Sequence, residues 1–284
     1  MSAVVHNNRE IAKIVTGSAQ TDGAGVKLIR VIGYSNVRDF DPFLMLDAFD
    51  SRNPEDYVKG FPWHPHRGIE TITYLIQGEI VHGDSIGNKG TIRDGGCQWM
   101  TAGKAILHQE MPQPSPQMLG VQVWLNLPRK SKLTAPQYRD ITADMIPKVR
   151  EEGCRIGVIS GSYHGQPGAT QGDYVNATFL DVALEEAFTW EYATNPEDTV
   201  FVYIVEGEGY FGGEEKQLIP SKHAVLFQKG DSLTITAGKQ PLRMFVFTGK
   251  PLHEPIAWGG PIVMNTNDEL EQAFKEIRQG TFGS

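Results

Sequence analysis

Two short segments of the chain carry side chains that coordinate transition metals at a spacing of two residues. One pair is His64 and His66, separated by Pro65, and the other is His108 and Glu110. Residues two apart on an extended strand project from the same face, so the members of each pair point the same way. Two such strands facing each other in a small barrel offer three imidazole nitrogens and one carboxylate oxygen to a single ion.

This set of ligands predicts one mononuclear centre for a divalent transition metal. Imidazole and carboxylate without thiolate suit Fe(II), Mn(II), Co(II), Ni(II), Cu(II) and Zn(II), and the spacing does not choose among them. An octahedral ion with four protein ligands keeps two open positions, which suit a bidentate substrate or a substrate oxygen beside dioxygen. The alternatives are a closed tetrahedral structural site, or histidines that lie on ordinary turns.

The elements that must position these side chains are short strands. Pro65 cannot donate a hydrogen bond to a neighbouring strand, so its segment is expected at a sheet edge or in an irregular strand. Runs with a β pattern occur at 71–76, 121–127, 200–205, 224–227, 233–236 and 244–247. They end at turns, and 31 glycines and 17 prolines are spread along the chain. This pattern predicts an all-β chain built from sandwiches or barrels of the jelly-roll kind.

One helix is predicted, close to the end of the sequence. Thr266 is followed three residues later by Glu269, which is the signature of a capping box. An apolar stripe follows, formed by Leu270, Ala273, Phe274 and Ile277. Gly280 then ends the helix. We expect a short C-terminal helix packed on a sheet.

The rhythm of strands breaks between the two halves of the chain. We predict an N-terminal metal-binding domain, a linker with room for one short helix, and a C-terminal domain, at residues 1–133, 134–147 and 148–284 respectively. The C-terminal half keeps the β pattern, but His223 and His253 stand alone there, without a second ligand two residues away. This half is therefore expected to bind no metal.

The composition argues against several classes of function. The formal net charge is −8 and the basic residues form no cluster, which argues against direct binding to nucleic acid. Cys97 and Cys154 are too few for a disulfide framework and are expected to be reduced thiols. No apolar run is long enough to span a membrane, and residues 1–13 lack the apolar core of a secretion signal. We expect a soluble cytoplasmic protein.

Several strings of the sequence, taken together, resemble the pirin family. They are 41–44 (DPFL), 64–71 (HPHRGIET), 98–103 (QWMTAG), 108–112 (HQEMP), 122–127 (QVWLNL) and 261–266 (PIVMNT). The resemblance covers roughly residues 25–270. It implies two jelly-roll (cupin) β-barrels in one chain, the first binding a metal, usually iron, and the second metal-free. It also implies that the metal ligands are His64, His66, His108 and Glu110.

A second glutamate competes for the place of the carboxylate ligand. In the general cupin pattern that ligand follows the two histidines by a few residues, which would name Glu70. Pirins have a glutamate at that position, but their ligand is the one that matches Glu110. We therefore expect Glu110 to be the ligand and Glu70 to have a structural or supporting role.

The resemblance implies two classes of function. The first is a quercetin 2,3-dioxygenase-like oxidoreductase that uses dioxygen to cleave a flavonol ring and releases carbon monoxide, with Glu110 as both ligand and general base. The second is a non-catalytic, iron-binding, redox-responsive regulator that binds a protein partner, either a transcription cofactor or a metabolic enzyme. The second class would allow a nuclear location in a eukaryotic cell.

Overall fold

The computed structural model describes residues 7–283. Over these residues the chain is mainly β-strand, with one α-helix, α1, at Asn267–Gln279 and single turns of 3-10 helix at Pro54–Asp56 and Arg129–Ser131. In this part of the chain no helix combines the length and apolarity required to cross a membrane. The prediction of an all-β chain with a short C-terminal helix is confirmed.

The strands are numbered in chain order. Strands β1 to β12 are Ile11–Thr16, Ser18–Asp22, Val26–Ile32, Phe43–Ser51, Phe61–His66, Ile69–Gln77, Glu79–Asp84, Lys89–Ile92, Cys97–Thr101, Ile106–Gln113, Met118–Asn126 and Gln137–Ile141. Strands β13 to β26 are Lys148–Glu151, Cys154–Ser160, Ser162–Tyr163, Gln166–Pro167, Ala177–Leu184, Thr189–Ala193, Thr199–Glu206, Glu208–Phe211, Gln217–Pro220, His223–Phe227, Ser232–Ala237, Leu242–Gly249, Ala257–Gly259 and Ile262–Met264. Each run with a β pattern in the sequence falls within or largely within one of these strands.

The described residues form two compact units. The N-terminal unit comprises Ser18–Val37, Pro42–Met145 and residues 252–283. The C-terminal unit comprises residues 7–17, Arg38–Asp41 and Ile146–Pro251. Residues 7–17 thus belong to the unit that is built mainly from the second half of the chain. Residues 252–283 belong to the unit that is built mainly from the first half.

This division differs from the boundaries predicted at 1–133, 134–147 and 148–284. The predicted linker contains β12, Gln137–Ile141, which pairs with β9 in the N-terminal unit. The turn of 3-10 helix lies before it, at Arg129–Ser131, and the linker itself forms no helix in the structure. The short run of β12 was overlooked because it is half exposed and gives little apolar signal.

The N-terminal unit contains two main sheets. Their strand orders are β12-β9-β6-β11-β4-β3-β2 and β5-β10-β7-β8. An apolar cluster joins them, since Leu75 and Met118 of the first sheet pack with Ile80 of the second. Strand β5 lies at the edge of its sheet, as expected from Pro65. The two sheets form the first jelly-roll barrel.

The C-terminal unit repeats this plan with a filled interior. Its sheets have the orders β1-β22-β19-β24-β17-β14-β13 and β18-β23-β20-β21. One apolar cluster spans both sheets, with Val182, Val202 and Val246 from the first and Trp190 and Ile235 from the second. These side chains are almost completely buried. The interior of this barrel is therefore a packed core.

Helix α1 belongs to the N-terminal unit. Thr266 Oγ1 accepts a hydrogen bond from the backbone N–H of Glu269, and the Glu269 carboxylate accepts one from the backbone N–H of Thr266, which completes the predicted capping box. Gly280 ends the helix at φ +69°. Leu270 and Phe274 pack on the small sheet β25–β26. The predicted helix is confirmed at both ends.

The backbone after the first histidine pair passes close to the C-terminal segment at Gly68. Gly68 has φ +78°, and a Cβ atom there would lie 1.9 Å from the carbonyl oxygen of Val263. Gly87 also has positive φ, +96°, but a Cβ atom there would meet no heavy atom within 4 Å apart from its chain neighbours. Backbone conformation favours glycine at both positions, whereas close packing requires it only at Gly68.

We predict that Gly68→Ala lowers the free energy of unfolding by about 3 kcal/mol or more, because strain and a backbone clash add. The matched control, Gly87→Ala, meets strain alone and loses about 1–2 kcal/mol. Urea denaturation followed by circular dichroism measures both. Equal losses in the two variants would contradict the close approach of Gly68 to Val263.

Candidate metal centre

The first histidine pair and His108 lie on neighbouring strands of the four-stranded sheet. Strands β5 and β10 run antiparallel, and His64 lies directly opposite His108. His66 lies opposite Ile106, two residues before His108. Because alternate residues on a strand share one face, the three imidazoles point the same way. The structure thus brings together the three histidines that the spacing selected.

The three rings converge closely. The ring centroids of His64 and His66 are 4.8 Å apart, and the His108 centroid lies 4.3 Å and 5.0 Å from them. One ligand nitrogen from each histidine lies within 4.8 Å of the others. His66 and His108 are buried, and His64 is partly exposed. The cluster therefore has an open side at His64.

Burial keeps His66 and His108 neutral. Burial and neighbouring imidazoles lower the pKa of His66 to about 3 and that of His108 well below its ordinary value. His64 Nδ1 lies 2.8 Å from the carbonyl oxygen of Pro62, and His66 Nδ1 lies 3.0 Å from that of Pro261. A carbonyl only accepts, so each Nδ1 donates a proton, and Nε2 of the neutral His66 keeps a lone pair.

This arrangement fits a cation. The Nε2 atoms of His64 and His66 lie 3.1 Å apart. Both ring nitrogens of His108 are buried and have no hydrogen-bond partner among residues 7–283. Three imidazoles with converging nitrogens, two of them oriented by backbone carbonyls, are a donor set for divalent transition metals. The cluster fits one divalent metal ion and leaves its identity open.

Glu110 lies beside the cluster, two residues after His108 on β10. The β5–β10 pairing is irregular between these two positions, and Glu110 lies opposite Phe61. Its Oε1 accepts a hydrogen bond from Thr73 Oγ1 at 3.1 Å, and its Oε2 accepts one from Gln122 Nε2 at 2.7 Å. The group of ligand atoms within 4.8 Å of one another consists of the three histidines. Glu110 as the fourth ligand stays a prediction.

The indole of Trp124 fixes the orientation of the amide that contacts Glu110. Trp124 Nε1 donates to Gln122 Oε1 at 3.2 Å. An indole N–H only donates, so the amide oxygen of Gln122 faces Trp124 and its NH2 group faces Glu110. The same NH2 group donates to Thr73 Oγ1 at 3.1 Å, which in turn donates to Glu110. Both oxygens of Glu110 therefore accept hydrogen bonds, as a carboxylate does.

Two other acid–base candidates are bonded elsewhere. Glu70 lies on β6, in the other sheet, and accepts a hydrogen bond from Thr101 Oγ1 at 2.6 Å. His82 Nε2 lies 3.2 Å from Asp84 Oδ2, and its ring centroid is 5.5 Å from that of His108. Within the described chain neither Glu70 nor His82 belongs to the converging group of ligand atoms. A structural or supporting role for Glu70 stays a prediction.

A row of polar side chains crosses the seven-stranded sheet. The register places Thr73 opposite both Gln98 and Gln122, and Asp47 opposite both Gln122 and Arg30. Residues directly opposite one another share a face of the sheet. Gln98, Thr73 and Asp47 are at most 3% exposed. Buried polar groups are costly unless they are bonded, so this polar row indicates a face built for polar contacts.

An open cavity of about 510 Å³ lies on this face. Its aromatic walls include Phe61, Trp63, Trp124 and Trp258. Its polar lining includes His64, His66, Glu110, Gln122, Asp47 and Arg30. A cavity of this size, mostly apolar with a few convergent polar groups, is typical of a site for a small molecule.

The C-terminal segment also holds the residue next to His66. Arg67 donates from Nη2 to the carboxylate of Glu276, on α1, at 2.5 Å, and its guanidinium lies 4.4 Å from the centre of the Phe282 ring. With the carbonyl of Pro261 on His66, these contacts fix β5 from its C-terminal end. Second-layer contacts of this kind orient metal ligands.

A buried lysine joins the same elements. Lys132 Nζ donates to the carbonyl oxygens of Gly68 and Val263 at 2.8 and 2.9 Å, and also to Asn126 Oδ1. Its side chain is almost completely buried. The three donors of an ammonium group match these three acceptors, so Lys132 ties the turn after His66 to the C-terminal segment.

Several of these supporting residues were not given a role from the sequence. Gln122 and Pro261 lie in strings that carry the family resemblance, but the strings say nothing of hydrogen bonds. A polar residue in a buried strand was a usable signal for Gln122 and Thr73. For Lys132, which looks like one of several basic residues around position 130, the sequence offers no signal.

Two jelly-roll barrels, one of them with a histidine cluster beside an open cavity, define the class of double-cupin proteins. The sequence profile of pirin matches residues 25–125, and that of the pirin C-terminal cupin domain matches residues 179–283. The chain belongs to the pirin family.

Relatives from distant organisms match along the whole chain. A Pseudomonas aeruginosa protein, provisionally named a quercetin 2,3-dioxygenase, is 42% identical over 96% of this chain and 97% of its own length. Human pirin is 34% identical over 98% of this chain and 95% of its own length. The crystal structure of a quercetin 2,3-dioxygenase from Acinetobacter baumannii superposes with a TM-score of 0.88 and 31% identity, over 98% of this chain and 99% of that one.

We predict that Lys132 makes stability depend on pH. Burial lowers the pKa of its ammonium group to about 7, against an ordinary value of 10.5. Between these values the unfolded chain binds the proton and the folded chain does not, so stability rises with pH. Relative to Lys132→Met, the free energy of unfolding of the wild type should rise by up to about 1.4 kcal/mol per pH unit from pH 7 to 10, and stay flat below pH 7.

Urea denaturation of the metal-free proteins at pH 6 to 10 measures this difference. Lys130→Met, which changes an exposed lysine two residues away, is the matched control and should show no such trend. At pH 7 Lys132→Met should also be less stable than the wild type by about 1–3 kcal/mol, because three buried acceptors lose their donor. A difference that does not change with pH would show that Lys132 stays charged in the folded protein.

Proposed function

We propose that this protein is a metal-dependent dioxygenase that cleaves the ring of a flavonol such as quercetin and releases carbon monoxide. The observation that carries the proposal is the position of the histidine cluster, on the wall of an open, aromatic-lined cavity. A closed structural metal site would need no such cavity. The names of the Pseudomonas relative and of the Acinetobacter structure support the same reaction.

Fe(II) is the metal that we propose, with His64, His66 and His108 as ligands and Glu110 as the fourth. Glu110 and His108 lie two residues apart on β10, and the carboxylate lines the same cavity as His64 and His66. When bound, a redox-active divalent ion supplies Lewis acidity toward a flavonol oxygen and electron transfer toward dioxygen. Other first-row metals have the same ligand preferences, and reconstitution with each of them tests whether it can replace Fe(II).

Glu110 is the proposed general base. The proton to be removed is that of the flavonol 3-hydroxyl, and hydrogen bonds from Gln122 and Thr73 hold the Glu110 side chain in place. A base must be an acceptor within reach of the substrate, and Glu110 lines the cavity. In the overall reaction both atoms of dioxygen enter the products, two carbon–carbon bonds of the central ring break, and one ring carbon leaves as carbon monoxide.

The aromatic walls would hold the flat ring system of the substrate. Trp124 and Trp258 lie 5.9 Å apart between ring centroids, and both line the cavity. Trp63 adds a third indole, which is 54% exposed. An exposed indole beside a cluster of ligands is well placed to stack on an entering aromatic molecule. The cavity thus favours a catalytic role over that of a regulator without turnover.

We predict that Glu110→Gln keeps most of the metal but lowers kcat for quercetin about 10²–10⁴-fold, because the amide cannot accept the proton. His64→Ala should lose both metal and turnover. The protein is reconstituted with Fe(II) without oxygen, quercetin is added under oxygen, and flavonol absorbance, released carbon monoxide and bound metal are measured.

His223→Ala is the matched control, because His223 lies in the C-terminal unit and its ring contacts the backbone of Ser221. This variant should keep the metal content and turnover of the wild type. Unchanged kcat in Glu110→Gln would refute the role of general base. Stoichiometric metal binding without turnover for any first-row metal would favour the redox-responsive regulator instead.

A further inference from the structure

The polar row ends in an ion-paired triad at the cavity wall. Arg30 Nε and Nη2 donate to the two carboxylate oxygens of Asp47 at 2.8 and 2.7 Å, and Nη2 also donates to Asp22 Oδ2 at 2.8 Å. Asp22 Oδ1 accepts the backbone N–H of Gly23 at 2.7 Å. Asp22, Arg30 and Asp47 all line the cavity that holds the histidine cluster. The triad is therefore a rigid polar surface within the same cavity.

Asp22 presents the negative charge of this triad to the cavity. Arg30 and Asp47 form a two-bond pair, and the Asp47 side chain is 5% exposed, whereas that of Asp22 is 50% exposed. Although burial raises the pKa of the Asp22 carboxyl, hydrogen bonds from Arg30 and Gly23 bring it below its ordinary value. Each oxygen of Asp22 uses one lone pair in these bonds, so each retains an acceptor site for a ligand.

The triad lies two strands from Gln122, the residue that donates to Glu110. Gln122, which holds Glu110, is opposite Asp47, and Asp47 is opposite Arg30. Neighbouring strands are about 4.8 Å apart, so two strand spacings separate Gln122 from Arg30 by about 10 Å. In a flavonol the phenyl ring is attached to the carbon next to the one that bears the 3-hydroxyl, so this ring can extend toward the triad when the 3-hydroxyl lies at Glu110. Aromatic side chains line the same cavity.

We infer that Asp22, held by Arg30 and Asp47, is a specificity-determining residue that accepts hydrogen bonds from hydroxyl groups on the distal ring of a planar aromatic substrate. This inference rests on the proposed function, since it assumes that the 3-hydroxyl, on the central ring of the substrate, lies at Glu110 and the histidines. The class of substrate is a neutral polyphenol that carries hydroxyl groups both on this ring and on the distal phenyl ring.

The negative charge of the triad also determines which molecules the cavity disfavours. A carboxylate or sulfonate on the distal ring would meet an ionised Asp22, and the Arg30 guanidinium already has two carboxylates as partners. Like charges in a partly buried site repel, whereas a phenolic hydroxyl donates to a carboxylate in a charge-assisted hydrogen bond. Neutral hydroxylated rings are therefore selected over anionic ones.

The test compares two flavonols that differ only in the distal ring: quercetin, which has two adjacent hydroxyl groups there, and its analogue with an unsubstituted phenyl ring. Binding to Zn(II)-loaded protein is measured without oxygen by quenching of tryptophan fluorescence. The wild type should bind quercetin about 10-fold or more tightly than the analogue. In Asp22→Asn this ratio should fall to about 3 or less.

Asp56→Asn is the matched control. Asp56 pairs with Lys27, which lies on β3 like Arg30, at 2.8 Å, but it does not line this cavity. The control should keep the ratio of the wild type, and thermal melting checks that both variants are folded. A wild type that binds neither flavonol or does not prefer quercetin, or an Asp22→Asn variant that keeps the preference, would overturn the inference.

The proposed reaction is judged separately, by admitting oxygen to Fe(II)-loaded protein. Selective binding that depends on Asp22 without carbon monoxide release supports the inference and refutes the dioxygenase. Turnover of both flavonols with no dependence on Asp22 supports the dioxygenase and refutes the inference.

Discussion

Three imidazoles must converge on one point, and the N-terminal unit is arranged around this requirement. The alternation of strands β5 and β10 places His64, His66 and His108 together, but it does not make the arrangement favourable. Two carbonyls, of Pro62 and Pro261, accept the Nδ1 protons of His64 and His66 and so direct their Nε2 atoms inward. Burial keeps His66 and His108 neutral. A divalent cation is the partner that this geometry fits, and the edge position of β5 gives it access.

The two units show what this requirement does to a cupin barrel. In the C-terminal unit one apolar cluster joins the two sheets, so side chains such as Val202 and Trp190 fill the interior. In the N-terminal unit the buried apolar residues form separate clusters, and the cavity and the polar row lie on the inner face of the seven-stranded sheet. A polar face cannot close into a packed apolar core. A similar order of strands therefore encloses a packed apolar core in one unit and a partly polar cavity in the other.

The sequence predicted the parts of the site that depend on local periodicity. The spacing of His64 and His66 fixes their shared face, and Thr266 with Gly280 fixes both ends of α1. Features that depend on long-range packing were not predicted: residues 252–283 belong to the N-terminal unit, and 137–141 pair with β9. The polar row was out of reach as well. It arises from the register of four strand pairs, and alternation within each strand does not determine register between strands.

The contacts of Glu110 constrain how one carboxylate can serve as both proposed ligand and proposed base. Gln122 and Thr73 each take one lone pair, one on each oxygen, and Trp124 prevents the amide of Gln122 from reversing. A carboxylate has about four acceptor sites, so about two remain. A metal ion and a substrate proton would compete for these two. One of these sites would hold the ion and the other would accept the proton, and the bonds to Gln122 and Thr73 would keep the carboxylate in place. The polar row therefore contacts the proposed base at Gln122 and ends at the Arg30–Asp47 pair.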